Sequence, residues 1–147
     1  MKASKVFLHI GCGPYKHEGF INTDKEMDIT KPWPYENSSV DGIVSMHVLQ
    51  ELSWRQLEKA FRESYRVLKK GGIMRLGVPA VELNWPLSHL LGWGNINLFS
   101  YDLLKKVLID CIGYWDIKSC KYKESAIKEF INVDNRPEST LYIEVKK

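Results

Sequence analysis

The chain has 147 residues, 44% of them hydrophobic, and a formal net charge of +3. We therefore expect one compact domain over residues 1–147. No apolar run approaches the roughly 18 to 20 residues of a membrane span, and the N-terminus has no signal-peptide core, so we expect a cytoplasmic protein. The small, evenly spread charge does not predict nucleic-acid binding.

Six apolar runs rich in β-branched residues predict strands. They cover residues 5–11, 19–23, 40–46, 73–78, 114–119 and 140–145. Where a predicted helix lies between two of these strands, the strand-helix-strand order indicates parallel pairing with a right-handed crossover, so we expect a mostly parallel sheet. The last run alternates polar and apolar residues, which predicts an edge strand with one wetter face.

Two segments between these strands predict amphipathic helices. The first begins at Ser53 as N-cap and ends at Gly71-Gly72, and the second begins at Ser100 and ends at Gly113. The inward residues of the second helix are expected to be Leu103, Leu104, Val107, Leu108 and Cys111.

Gly11 and Gly13 follow the first predicted strand. In parallel α/β sheets ligands bind beyond the carboxyl ends of strands, and glycine there permits positive φ and close approach of a ligand to the backbone. A dinucleotide fingerprint would need a third glycine, but Lys16 stands in its place, and only residues 14–18 separate the turn from Gly19. The NAD interpretation is therefore weak.

Asp24 follows the second predicted strand, where a carboxylate could accept both hydroxyls of a ribose. A solvated aspartate of a turn is the alternative. Asp28 lies four residues further on. The two carboxylates together favour a nucleoside ligand.

The cysteines, and the histidines His9 and His17, give weaker indications of a functional site. Cys12, Cys111 and Cys120 are an odd number without metal-binding spacing, so we expect reduced thiols and no metal site. His9 and His17 have no partner at a recognisable spacing.

Several motifs resemble those of the class I S-adenosylmethionine-dependent methyltransferases, in particular a small, compact branch of methyltransferase type 11. The motifs are LHIGCG at 8–13, GFINTD at 19–24, DITKPWPY at 28–35, DGIVSMHVL at 41–49 and RVLKKGGIMR at 66–75. With the C-terminal segments, the resemblance covers nearly the whole chain. It implies an α/β, Rossmann-like three-layer sandwich with strand order 3-2-1-4-5-7-6 and an antiparallel C-terminal strand.

The resemblance also implies the first half of a cofactor site. Gly11, Cys12 and Gly13 would lie against the methionine part of S-adenosylmethionine, and Asp24 would hold its ribose hydroxyls. The wider family carries an acidic residue two positions before the first glycine, where this chain has His9.

The second half of the implied site lies further along the chain than Asp24. Asp28 and Ile29 would lie beside the adenine, whereas Ser45, Met46 and His47 would line the floor near the sulfonium.

The resemblance predicts a methyltransferase whose acceptor, a small molecule or a macromolecule, stays open, as does its oligomeric state. Because the sulfonium already activates the methyl group, positioning would supply much of the catalysis. If a hydroxyl or amine is methylated, His47 and His89 are the candidate bases. The alternative is a non-catalytic, methyltransferase-like module that acts as a binding or regulatory partner, favoured by the short connection at residues 14–18.

Overall fold

The computed structural model describes residues 4–80, 94–113, 116–134 and 136–147. Within them one sheet contains the strands β1 (Phe7–Ile10), β2 (Ile21–Thr23), β3 (Val40–Met46), β4 (Leu68–Pro79), β5 (Asp116–Cys120) and β6 (Thr140–Lys146). The two α-helices are α1 (Trp54–Val67) and α2 (Tyr101–Ile112). Short 3-10 helices cover Leu49–Glu51, Lys128–Phe130 and Pro137–Ser139.

The sheet has the order β2-β1-β3-β4-β6-β5. Strands β1 to β4 pair in parallel, and β6 runs antiparallel to both of its neighbours. The mostly parallel sheet with an antiparallel C-terminal strand is thus confirmed. The outermost strand of the expected seven-strand order does not form, because residues 24–39 make turns between β2 and β3.

The prediction that the C-terminal strand is a wet edge is wrong. β6 lies between β4 and β5, and its residues 142–145 are buried. Its polar Glu144 is buried because Arg75 of β4 pairs with it at 3.2 Å, with side chains only 2% and 1% exposed. The largely exposed β5 forms the edge instead.

Helix α1 begins as predicted but ends early. Ser53 and Gln56 form a capping box at its N-terminus. The helix ends at Val67, not at Gly71-Gly72, because Leu68 already pairs with Val40 as the first residue of β4.

Helix α2 has the predicted bounds, with Ser100 as N-cap and Gly113 directly after its last turn. Leu104 and Leu108 are buried as expected. Leu103 was expected to face inward, but it is 38% exposed, because the buried face of the helix is centred on Leu104 and Leu108, one turn apart.

The two faces of the sheet are covered differently. Both helices pack on one face, where Leu8, Ile43 and Phe61 belong to the larger core. On the opposite face, Phe130 and Val133 of the connection between β5 and β6 pack with residues of β1 and β3. The expected three layers are present. The third is an irregular layer formed by the connection between β5 and β6, and it reaches the carboxyl ends of the parallel strands.

Among the described residues, no helix has the length and apolar character to cross a membrane.

Candidate functional site

The turn after β1 has the backbone that its glycines allow. Gly11 and Gly13 have φ of 67° and 52°, in the left-handed region. A Cβ on Gly11 would clash with Val48 Cγ2, whereas a Cβ on Gly13 would meet nothing within 4 Å. Gly11 therefore permits close packing against the end of β3, and Gly13 leaves an open approach to the backbone.

This turn is tied to the end of the neighbouring strand. The N–H of Cys12 donates to the carbonyl of Thr23 at 3.0 Å, directly before Asp24. Burial and the Asp24 carboxylate raise the pKa of the Cys12 thiol, so it stays protonated. Cys12 is a buried packing residue of the turn and a poor nucleophile.

A cleft of about 300 Å³ opens beside the glycine turn. One wall is the turn and the loop after it, and the floor is the end of β3. The third wall comes from the irregular layer, at Asn132, Val133, Asp134 and Arg136. The cleft thus lies where parallel sheets bind ligands, at the carboxyl ends of β1 and β3.

Another recess, of about 480 Å³, is larger but more open. Its lining includes Ser38, Arg66 and Lys147. Ser38 precedes β3, so this recess lies at the amino end of the parallel strands. The cleft beside the glycine turn, at the carboxyl ends of the parallel strands, is therefore the candidate functional site.

His47 lies on the cleft floor in a strained conformation, with φ of 59°. Its Nε2 lies 2.9 Å from Thr140 Oγ1 and 3.3 Å from Asp134 Oδ1. The Thr140 hydroxyl donates its proton to the carbonyl of Arg136 at 2.7 Å, so its oxygen accepts from Nε2. The neutral ring therefore carries its proton on Nε2, and the buried Nδ1 has no hydrogen-bond partner.

The side chain of Asp134 is only 2% exposed. Burial disfavours its charge, but hydrogen bonds from His47, from the Tyr142 hydroxyl and from the Arg136 N–H outweigh it and hold the pKa of Asp134 below its ordinary value. Burial and the neighbouring carboxylate raise the pKa of Tyr142, so its hydroxyl stays a donor. Asp134 is therefore a fixed negative charge beside His47.

Two further histidines, His9 and His17, line the cleft near the glycine turn. His9 Nδ1 lies 3.1 Å from Asn22 Oδ1, and the rings of His9 and His17 are 5.4 Å apart. Burial lowers the pKa of His9, so the ring is neutral at neutral pH. The sequence spacing indicates no partner for these histidines, but the short loop brings Asn22 of β2 to the His9 ring and to the backbone N–H and carbonyl of His17. The described residues hold no cluster of three or more groups arranged to bind a metal.

The structure brings together five of the residues that the sequence suggests. Gly11, Cys12, Gly13, Met46 and His47 all line the cleft.

The other suggested residues lie elsewhere. Asp24 is half-buried directly after β2. The exposed Asp28 accepts from the N–H and hydroxyl of Thr30 at 2.9 and 2.6 Å, so its carboxylate already closes its own turn. Ser45 belongs to the face covered by α1, where its buried hydroxyl has no partner and lies in a small recess that Ile29 also lines. His89 falls outside the described residues.

Sequence reasoning missed the third wall of the cleft. Asn132 and Asp134 stand in a connection without periodicity, and Asp134 is 87 residues from His47. No spacing in a single sequence relates residues this far apart.

Residues 14–76 match a family model described as a methyltransferase domain. The fold is similar to a S-adenosylmethionine-dependent methyltransferase from Archaeoglobus fulgidus, with TM-score 0.70 and 18% identity over 99% of this chain and 87% of that one. The fold is also similar to an S-adenosylmethionine-dependent methyltransferase from Thermotoga maritima, with a TM-score of 0.63 and 18% sequence identity over 99% of this chain and 83% of that one.

A Haemonchus contortus phosphoethanolamine N-methyltransferase 2, solved with S-adenosylmethionine, gives a TM-score of 0.66 and 12% identity over 100% of this chain and 49% of that one. Comparison with curated protein sequences gives no match.

Proposed function

We propose that this chain, which has the class I S-adenosylmethionine-dependent methyltransferase fold and matches the methyltransferase domain model, binds S-adenosylmethionine and transfers its methyl group. The observation that carries this proposal is the glycine turn after β1, which forms one wall of the cleft at the carboxyl end of the sheet. The fold neighbour solved with S-adenosylmethionine supports the choice of cofactor.

The glycine turn fits such a cofactor. Gly13 has open space where a Cβ would stand, so a ligand can approach its backbone N–H and carbonyl. At about 300 Å³ the cleft is at the small end of ligand pockets. We assign it to the methionine part and the methyl group, with Gly11, Cys12 and Gly13 as one wall and Met46 and His47 as the floor.

The nucleoside would extend from the cleft past the end of β2. Thr23 is tied to Cys12, so Asp24 stands next to the glycine turn and can accept from the two ribose hydroxyls. We propose that Asp28 and Ile29 lie beside the adenine. Asp28 Oδ1 already accepts from the N–H and hydroxyl of Thr30, so a hydrogen bond from the adenine to that oxygen would be shared with its turn. The buried hydroxyl of Ser45 lies on the helix side, so we leave its side chain out of the cofactor contacts.

The sulfonium of S-adenosylmethionine supplies the activated methyl group. The chain's own residues would hold the methyl carbon in line with the acceptor, since orientation accounts for much of the rate in such a displacement. The buried floor at Met46 would exclude water from the sulfonium side.

Isothermal titration calorimetry tests the proposal. S-adenosylmethionine and its demethylated product should both bind, and NAD and ATP should not, because no phosphate-binding turn is present among residues 11–18. We expect dissociation constants of tens of micromolar, since ordering each loop residue costs about 1–2 kcal/mol and each 1.4 kcal/mol is tenfold. Tighter binding of NAD than of S-adenosylmethionine would contradict the proposed cofactor.

A non-catalytic, methyltransferase-like module is the second candidate. It is favoured by residues 14–18, which form a short loop where the resemblance leads us to expect a helix behind the glycine turn. Such a module would keep the fold and act as a binding or regulatory partner.

Hydrogen exchange separates the two candidates. The N–H groups of Cys12, Tyr15 and His17 are already hydrogen-bonded in the structure, so the informative amides of residues 12–18 are those of Gly13, Lys16 and Glu18. If the loop is a cofactor loop, these three amides should exchange fast in the free protein and slowly with S-adenosylmethionine. Protection already present without ligand, together with absent binding, would favour the module.

A further inference from the structure

We propose that His9 binds the cofactor, and that its Nε2 accepts a hydrogen bond from the α-ammonium of S-adenosylmethionine. This inference rests on the proposed function, which places the methionine part of the cofactor in the cleft beside the glycine turn.

The place of His9 follows from the alternation of β1. Leu8 and Ile10 belong to the larger core on the helix side, whereas Phe7 packs in the cluster on the opposite face. Because side chains alternate along a strand, His9 shares the face of Phe7. It lines the cleft, and only 3% of the residue is exposed. Its two ring nitrogens therefore need partners from the protein or from a ligand.

Asn22 determines the tautomer of the His9 ring. Asn22 Oδ1 lies 3.1 Å from His9 Nδ1. The orientation of the Asn22 amide is fixed, because its Nδ2 donates to the carbonyls of His17 and Phe20 at 2.9 and 3.1 Å. Its Oδ1 accepts from the N–H of His17 at 2.9 Å and can only accept. The neutral His9 ring therefore carries its proton on Nδ1, and the lone pair is on Nε2.

This lone pair is unused and accessible. Within the part of the chain that the structure describes, His9 Nε2 has no hydrogen-bond partner, yet it is not one of the unpaired side-chain atoms that are closed off from solvent. Those atoms belong to Ser45, His47, Gln50 and Arg75. Nε2 therefore keeps some accessible surface. Because His9 is otherwise buried and lines the cleft, this surface faces the cleft.

The groups of the methionine part differ in what they offer to such an atom. The carboxylate can only accept hydrogen bonds, the sulfonium neither donates nor accepts, and the ammonium can only donate. Burial lowers the pKa of His9, and the neighbouring His17 adds to this effect, so the lone pair is present at neutral pH. The ammonium is therefore the one group of the methionine part that His9 Nε2 can bind, through a charge-assisted hydrogen bond.

The first experiment observes the lone pair directly. Two-bond ¹H–¹⁵N spectra of histidine-labelled protein at pH 8 should show Nδ1–H and unprotonated Nε2 for His9, assigned through the His9→Gln variant. The demethylated product of S-adenosylmethionine should move the ¹⁵N resonance of Nε2 upfield, and an analogue of this product without the α-amino group should not. A free ring protonated on Nε2, or the same shift with both ligands, would overturn the proposal.

The second experiment compares three ligands by calorimetry: the product, its analogue without the amino group, and its analogue without the carboxylate. Loss of the amino group should weaken binding to the wild type about tenfold or more, and binding to His9→Phe by about threefold at most. Phenylalanine keeps an aromatic ring, and Asn22 Oδ1 keeps the N–H of His17 as its donor. Loss of the carboxylate is the matched control and should weaken both proteins equally.

His9→Gln is the conservative variant. Its amide oxygen can stand in place of Nε2, so binding should again depend on the amino group, which a purely structural role of His9 does not predict. The comparison of ligands on the wild type needs no variant at all.

The outcomes separate this inference from the proposed function. No loss of wild-type affinity without the amino group, or an equal loss in the wild type and His9→Phe, would refute the role of His9. If the wild type binds neither S-adenosylmethionine nor its product, the proposed function is refuted, and this inference with it.

Discussion

Replacing Gly13 by alanine tests whether the open side of the glycine turn faces a ligand. Gly13 and Gly19 both have positive φ, 52° and 81°, and a Cβ on either would meet nothing within 4 Å. Only Gly13 lines the cleft. Gly19→Ala is therefore a control with the same backbone penalty and no place in the proposed site.

The magnitudes follow from these environments. An L-residue in the left-handed region costs about 1–2 kcal/mol, which for a chain of this size lowers the melting temperature by roughly 2–8 °C in both variants. A methyl group in the path of the cofactor adds about 1–3 kcal/mol of overpacking in Gly13→Ala alone. This corresponds to a loss of affinity for S-adenosylmethionine of about 5- to 150-fold.

Thermal unfolding and calorimetry on the two variants measure both effects. Similar melting temperatures with weakened binding only in Gly13→Ala would support the site. If Gly13→Ala binds S-adenosylmethionine as tightly as Gly19→Ala, the reasoning about the turn is refuted.

Three further predictions concern other parts of the chain. Asp24→Ala should weaken calorimetric binding of S-adenosylmethionine at least tenfold without unfolding the protein, because it removes an acceptor for two charge-assisted bonds of about 1.5–3 kcal/mol each; unchanged binding would return Asp24 to the role of a turn residue. Because burial lowers the folded-state pKa of His9 below its ordinary value of 6.5, the unfolded chain binds more protons than the folded chain below that pH. Urea unfolding should therefore show a free energy of unfolding that decreases as the pH is lowered below 6.5, by up to about 1.4 kcal/mol per pH unit. His9→Gln should flatten this slope, and an identical slope would contradict the assignment. Arg75→Met should destabilise the protein by about 3–5 kcal/mol in urea unfolding because it leaves Glu144 buried without its ion pair. The double variant with Glu144→Gln should lose less, and an additive loss would be inconsistent with this account.

The sequence predicts the parallel part of the sheet well, because strands buried on both faces appear as continuous apolar runs. β3 has the predicted bounds. The N-cap serines of both helices are also local signals. The order and directions of the strands came from the family resemblance.

The C-terminal strand shows where local patterns stop being sufficient. Polar and apolar residues alternate along this strand, so Glu144 predicts a solvent-exposed face. Arg75, 69 residues earlier in the chain, pairs with Glu144 and allows it to be buried. A pattern of alternation does not contain the partner of a buried charge.

The candidate site divides in the same way. Gly11, Gly13, Met46 and His47 are found by asking which residues directly follow predicted strands. Asp134 reaches the cleft only because Phe130 and Val133, in the same connection, pack on the face of the sheet opposite the helices, and this depends on tertiary packing. The same packing determines that the neutral His47 carries its proton on Nε2.

The most direct test of the account is to locate the bound cofactor by amide chemical-shift changes in ¹⁵N-labelled protein titrated with S-adenosylmethionine. We expect the largest changes at Gly11, Cys12 and Gly13, at Asp24, and at His47. Largest changes around the recess of Ser38, Arg66 and Lys147, or no saturable changes at all, would contradict the assignment of the cleft as the cofactor site.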